Sequence, residues 1–152
     1  MPVDVSPLTD EQAKILDEFY PIHYEFNLRS LIHKAKTDQS LVYLLSLPGL
    51  ITYPPTEEEL QIMHFPRNMK KKFAVYKGVY DKYLSALKKV AADTRTQIIY
   101  LDQLIKTPEQ RRIFTDTMHI DAEGADAFGR YIGHEIKSKV RELLATKLLA
   151  TD

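Results

Sequence analysis

Apolar positions recur along this chain at helical spacing, then in one continuous run, then at helical spacing again, and these changes of pattern predict its elements. Thr9-Asp10-Glu11-Gln12 has the form of a capping box, in which Thr9 accepts from the amide three residues on and Gln12 reaches back. Ile15, Leu16 and Phe19 then form a first apolar stripe, and Leu28, Leu31, Ile32 and Ala35 a second. Pro21 lies between them and predicts a kink or a division, because it has no amide proton and clashes with the preceding turn.

Ser40 to Leu47 is uninterrupted by charge and stops at Pro48-Gly49, which suits a buried parallel strand over about 41–47. Residues 50–67 read as a loop containing Pro54-Pro55 and a short helix capped by Thr56. Glu57, Glu58 and Glu59 in its first turn complement the helix dipole. Phe73, Tyr76, Tyr80, Tyr83, Leu84, Leu87 and Ala91 return at three- and four-residue intervals, which predicts a long helix over roughly 69–92. That spacing favours core and boundary packing over a tyrosine binding stripe.

Thr96 to Asp102 predicts a second strand, about 97–101, and Thr107-Pro108-Glu109 opens a short helix. Asp121 then caps a last helix whose face carries Phe128, Ile132, Ile136, Val140 and Leu144. The order helix, strand, helix, strand, helix predicts an α/β fold with a right-handed crossover and two parallel strands in a single domain.

Composition narrows the function classes. Twenty-one basic and 21 acidic residues in a chain of 152 cancel, so no overall field recruits nucleic acid or anionic membrane. Lys70-Lys71-Lys72 is the only basic run, open to reading as a solvated helix start or a phosphate contact. The absence of cysteine removes disulfides and thiolate chemistry. Leu41 to Leu47 is too short to span a bilayer, and the first residues lack the pattern of a signal peptide, so a soluble chain is expected.

The candidate chemistry is Asp116-Thr117-Met118-His119, in a loop beyond the second strand. A carboxylate three residues before a histidine can fold back onto one ring nitrogen and leave the other to accept a proton. An N-capping or surface pair is the alternative at this spacing. His23 and His33 fall in the first helical region and His64 in the long loop. His134-Glu135 begins like a zinc-binding helix, but Ser138 stands where the second histidine belongs. No metal and no cofactor are predicted.

Phe114 to Ile132, with Asp116-x-x-His119, the Gly124-Ala125 step and the closing helix, resembles the C-terminal catalytic block of the SGNH (GDSL-type) esterase and lipase superfamily. Tyr24 to Ala35 followed by Leu41 to Pro48, and Tyr76 to Leu87 followed by Ile98 to Leu101, are similar to the helix–strand units preceding that block, so the likeness covers about residues 8–146. It implies a fragment of a flavodoxin-like three-layer sandwich, with the two strands as neighbours at one side of a five-stranded sheet. It implies that His119 is the general base and Asp116 its orienting carboxylate, acting on a small-molecule or glycan ester.

The family's Gly-Asp-Ser nucleophile block is missing, as are its oxyanion glycine and asparagine blocks. Asn27 and Asn68 are the only asparagines, and Ser6, Ser30, Ser40, Ser46, Ser85 and Ser138 do not match the serine's setting. Each lost oxyanion donor costs about 10²–10³ in rate. The resemblance therefore implies the C-terminal portion of an ester hydrolase, inactive as this chain alone, with Ser46 the best substitute nucleophile. A non-catalytic interaction or scaffold domain derived from the same fold is the alternative. In either case the first strand is expected to present an apolar edge through which the chain associates with itself.

Overall fold

The computed structural model describes residues 3–65 and 72–149. Helix α1 spans Asp10–Glu18 and α2 spans Ile22–Thr37. The capping box forms as the spacing predicts: the Thr9 hydroxyl accepts from the Gln12 amide at 3.3 Å, and the Gln12 side chain accepts from the Thr9 amide at 3.1 Å. Pro21 divides the two helices, and α2 resumes immediately after it.

Strand β1 (Tyr43–Ser46) and strand β2 (Gln97–Tyr100) pair in parallel, Tyr43 opposite Gln97 and Ser46 opposite Tyr100. Between them lie α3 (Glu57–Ile62), with a second capping box at Thr56, and α4 (Phe73–Thr94). The strands are shorter than the apolar runs that encode them. Extending the register backwards would set Leu41 opposite Arg95, which instead closes α4 in the left-handed region at φ 52°. At the other end the chain leaves β2 into a 3-10 turn at Leu101–Leu104. Helix α4 is described from Phe73, and the predicted start, residues 69–71, lies outside the described residues. The expected short helix after Thr107 is a 3-10 turn over Glu109–Ile113, and α5 runs from Ala122 to Leu149.

Side-chain alternation on the strands sorts the core into two clusters. Leu44 and Ile98 face Ile32 of α2 and Leu87 and Val90 of α4. Ile99 belongs to the other cluster, with Leu50, Phe65, Leu101, Phe114 and Phe128 of α5. Helices thus cover both faces of a two-stranded parallel sheet, a mixed α/β arrangement. Glu25 ties α2 to α4: its carboxylate accepts from Arg29 and Lys89 at 2.6 Å each, and Arg29 continues to Asp93 at 2.5 Å. Lys89 first, then Tyr20 and Arg29, hold the Glu25 carboxyl down at about 2.

Three apolar positions predicted to face the core do not reach it. Ile15 is 61% exposed on α1, which meets α4 through Leu16, seated where any side chain at Gly78 would stand, and is followed by Phe19, whose ring packs on Tyr83. Leu31 is 67% exposed on α2, and Val140 39% exposed on α5. At 28 residues α5 is about 42 Å long against about 13 Å of strand, so its stripe overruns the sheet. The side chain of Leu144 lies outside the described residues.

Lys72 departs from both readings of the basic run. It is 7% exposed, precedes α4, and its backbone bridges to Asp4 while Phe73 donates to the Asp4 carbonyl at 2.8 Å. Lys70 and Lys71 lie outside the described residues. Among the described residues no helix is long and apolar enough to cross a membrane, and no group of acidic or histidine side chains is arranged to hold a metal ion.

Candidate functional site

The Asp116–His119 segment is a closed loop, held from both ends by local hydrogen bonds. Phe114 and Ile120 form an antiparallel bridge, the Thr115 amide donates to the His119 carbonyl at 2.9 Å, and the Asp121 amide donates to the Ile113 carbonyl at 2.8 Å. Asp121 then caps α5, its carboxylate accepting from the Gly124 amide at 2.8 Å. Gly124 is required by close approach: a Cβ there would lie 2.9 Å from Cβ of Ile113 and 3.2 Å from Cβ of Ile120. The Gly-Ala step is therefore the point where the closing helix packs against the base of the loop.

Within the loop, one oxygen of Asp116 accepts from the backbone amides of Met118 and His119, both at 2.8 Å. The other lies 2.7 Å from Nδ1 of His119. The two amide bonds first, and then the histidine, hold the Asp116 carboxyl down at about 2. At neutral pH the carboxylate is ionised and accepts only, so Nδ1 carries the proton of this bond. Nε2 is left as the acceptor of the neutral ring. It makes no hydrogen bond to a described residue, and the histidine side chain is 81% exposed.

Thr117 fixes the loop in space. It is 6% exposed; its hydroxyl donates to the His64 carbonyl at 2.6 Å and accepts from the His64 amide at 2.7 Å. Its own carbonyl accepts from the Leu50 amide at 2.9 Å. Gly49 makes that approach possible, since a Cβ there would stand 2.8 Å from the Thr117 carbonyl oxygen. The pair is thereby bolted to the chain leaving the carboxyl end of β1, the end of a parallel sheet at which ligands and catalytic groups collect.

The segment ahead of the loop is held as well. The Arg111 guanidinium lies 2.8 Å from Glu59 of α3, with both side chains nearly buried, and stacks over the Tyr53 ring at 5.1 Å. Nothing in the sequence signals either tether, because Thr117 and His64 are 53 residues apart and hydroxyl-bearing residues are common in loops.

Ser46 does not join the pair. It is 3% exposed at the end of β1, and its hydroxyl donates to Asp102 at 3.2 Å. Tyr53 stands in the same neighbourhood with its hydroxyl buried and unpartnered among the described residues. Burial first, and then the Asp102 charge, push it up to about 12. The His64 ring is exposed and lies 2.7 Å from the Ile62 carbonyl, so its contribution to the site is through its backbone. His23 and His33 stand exposed on α2, and His134 and Ser138 on α5, away from these contacts; Asn68 lies outside the described residues. Comparison with protein-family models, with curated proteins and with solved structures finds no match for this chain.

Proposed function

We propose that this chain carries the acid–base part of an SGNH-type ester hydrolase, with His119 as general base and Asp116 as its orienting carboxylate. The observation that carries the reading is the 2.7 Å contact from Asp116 to Nδ1, in a loop that leaves Nε2 facing solvent beside the end of a parallel strand. In such a site Nε2 takes the proton from a serine hydroxyl as that oxygen attacks the ester carbonyl. It returns the proton to the departing alkoxide, while Asp116 stabilises the intervening imidazolium. The helix-covered parallel pair is consistent with part of a flavodoxin-like sandwich, which belongs to the same proposal. The serine and the oxyanion donors come from a segment other than these 152 residues, and substrate is a small-molecule or glycan ester.

A second reading is a non-catalytic interaction domain that works through the sheet edge. The edge favours it: β1 pairs only with β2 among the described residues, carries no charge, and leaves Leu41, Leu45 and Leu47 exposed. Self-association through that edge fits either reading.

Hydrolysis of p-nitrophenyl acetate separates them. The chain alone is expected to show no serine-dependent turnover. Joined to the segment encoded immediately upstream, it is expected to hydrolyse the ester, with His119→Ala lowering the rate by about 10³-fold or more. Turnover by the joined protein that survives His119→Ala contradicts the hydrolase reading. Serine-dependent turnover by the isolated chain contradicts the claim that its nucleophile lies elsewhere.

A further inference from the structure

The first residues form a strap between two fixed points. At one end Val3 packs against the core cluster around Phe114, and the Asp4 carbonyl accepts from the Phe73 amide at 2.8 Å, where α4 begins. At the other the Tyr20 hydroxyl donates to Glu25 of α2, and Pro21 is buried. No residue from Asp4 to Tyr20 is buried, and α1, which fills the middle of the strap, adds nothing to either core cluster.

Leu16 seats α1 on the fold. A Cβ at Gly78 would overlap Cδ2 of Leu16 and stand 3.2 Å and 3.3 Å from its Cγ and Cδ1, so the end of Leu16 fills a notch that only glycine leaves open. Gly78 lies inside α4, where glycine is a poor helix former, so the notch is held against the helix's own preference. Two weaker contacts stand beside it: Lys82 donates to the Asp17 carbonyl at 3.3 Å, and the Phe19 and Tyr83 ring centroids are 6.1 Å apart. Next to them α1 and α4 part, leaving a cleft of about 590 Å³ between Ile15 on one side and Val75 and Val79 on the other. A helix packed along its face leaves no such space, so α1 rests on α4 at a point.

We propose that α1 is a displaceable cap. The helix is latched by Leu16 in the Gly78 notch; once unlatched it lifts from Val75, Val79 and Tyr83 and unwinds, while the sheet, α2 and α4 stay folded. The opening is local, because it gives up the surface contacts of one nine-residue helix and leaves both anchors and both core clusters intact. A helix of that length has little stability of its own in water, so docking and helix formation go together. Docked, α1 shields one apolar side of α4; lifted, it bares that side. The device is independent of the chemistry at His119 and holds for either reading of the function.

Native-state hydrogen exchange, read amide by amide by NMR at low, rising urea, tests this. The amides of residues 13–18 are expected to be protected about 100-fold less than those of residues 84–91, through an opening that urea hardly changes because little surface is exposed. Gly78→Ala shuts the notch while favouring helix, so it should speed exchange in α1 by about tenfold and leave the α4 amides as slow as before or slower. Leu16→Ala should speed α1 by a similar factor. In the double variant the two effects should not add, because both remove one contact. Leu16→Ala carries the same expectation should Gly78→Ala fail to fold. Exchange of α1 and α4 through one common, strongly urea-dependent opening overturns the proposal. So does α1 exchange that neither substitution moves, and so do two effects that add, which would place the latch elsewhere.

Discussion

Thr117→Val isolates the tether that places the Asp116–His119 loop. Valine keeps the volume of threonine and removes only the hydroxyl, so no cavity is created. Two hydrogen bonds to the His64 backbone, 2.6 Å and 2.7 Å long, are lost at a site 6% exposed, while the bond from the Leu50 amide remains. At about 1 kcal/mol net for each bond, the loss is about 2 kcal/mol, and more if the His64 groups stay unsatisfied. With a urea dependence of about 2 kcal/mol/M, the unfolding midpoint falls by roughly 1 M at unchanged slope. Thr115→Val is the matched control: that hydroxyl reaches the His119 carbonyl at 3.3 Å on the exposed rim, and its loss should cost under about 0.5 kcal/mol. A midpoint for Thr117→Val no lower than that of Thr115→Val would refute the assignment of Thr117 as the tether.

Two further predictions concern charge. The Asp116 carboxyl is held below its ordinary 3.8, at about 2, so its ionised form stabilises the fold above that ordinary value, and the benefit is lost as pH falls towards about 2. Asp116→Asn should therefore cost about 1 kcal/mol at neutral pH, the figure being discounted for the solvent-screened rim, and the gap in urea midpoints should close on acidification. A gap that widens as pH falls contradicts the argument. Glu59→Gln leaves the Arg111 guanidinium buried without its counter-charge and should destabilise by about 3 kcal/mol; adding Arg111→Met should recover part of that loss, and urea unfolding of the pair shows whether it does.

What the sequence makes legible is what is local. The Thr9 and Thr56 capping boxes, the break at Pro21, the Asp121 cap and the Asp116–His119 contact each join residues five or fewer apart, where residue type and spacing nearly determine the geometry. The strand runs were legible as apolar segments but not in extent, because the ladder stops where Arg95 turns and where the chain leaves Tyr100, neither of which leaves an apolar signature. The Thr117 tether, the Arg111–Glu59 pair and the Ser46–Asp102 bond were hidden. Their partners lie 52 to 56 residues apart, and each side chain alone suits a loop or a surface. Ile15 and Leu31 show the converse: helical spacing marks a face as apolar without saying that anything covers it.

The proposed acid–base role of His119 depends on which of its ring nitrogens carries the proton. Long-range proton–nitrogen NMR of the uniformly labelled chain, recorded where the ring is neutral, reads this directly. A protonated Nδ1 and an unprotonated Nε2 are expected, with the preference lost in Asp116→Asn. A neutral ring protonated at Nε2 would leave no base facing solvent and would contradict the assignment of Asp116 and His119 as an acid–base pair.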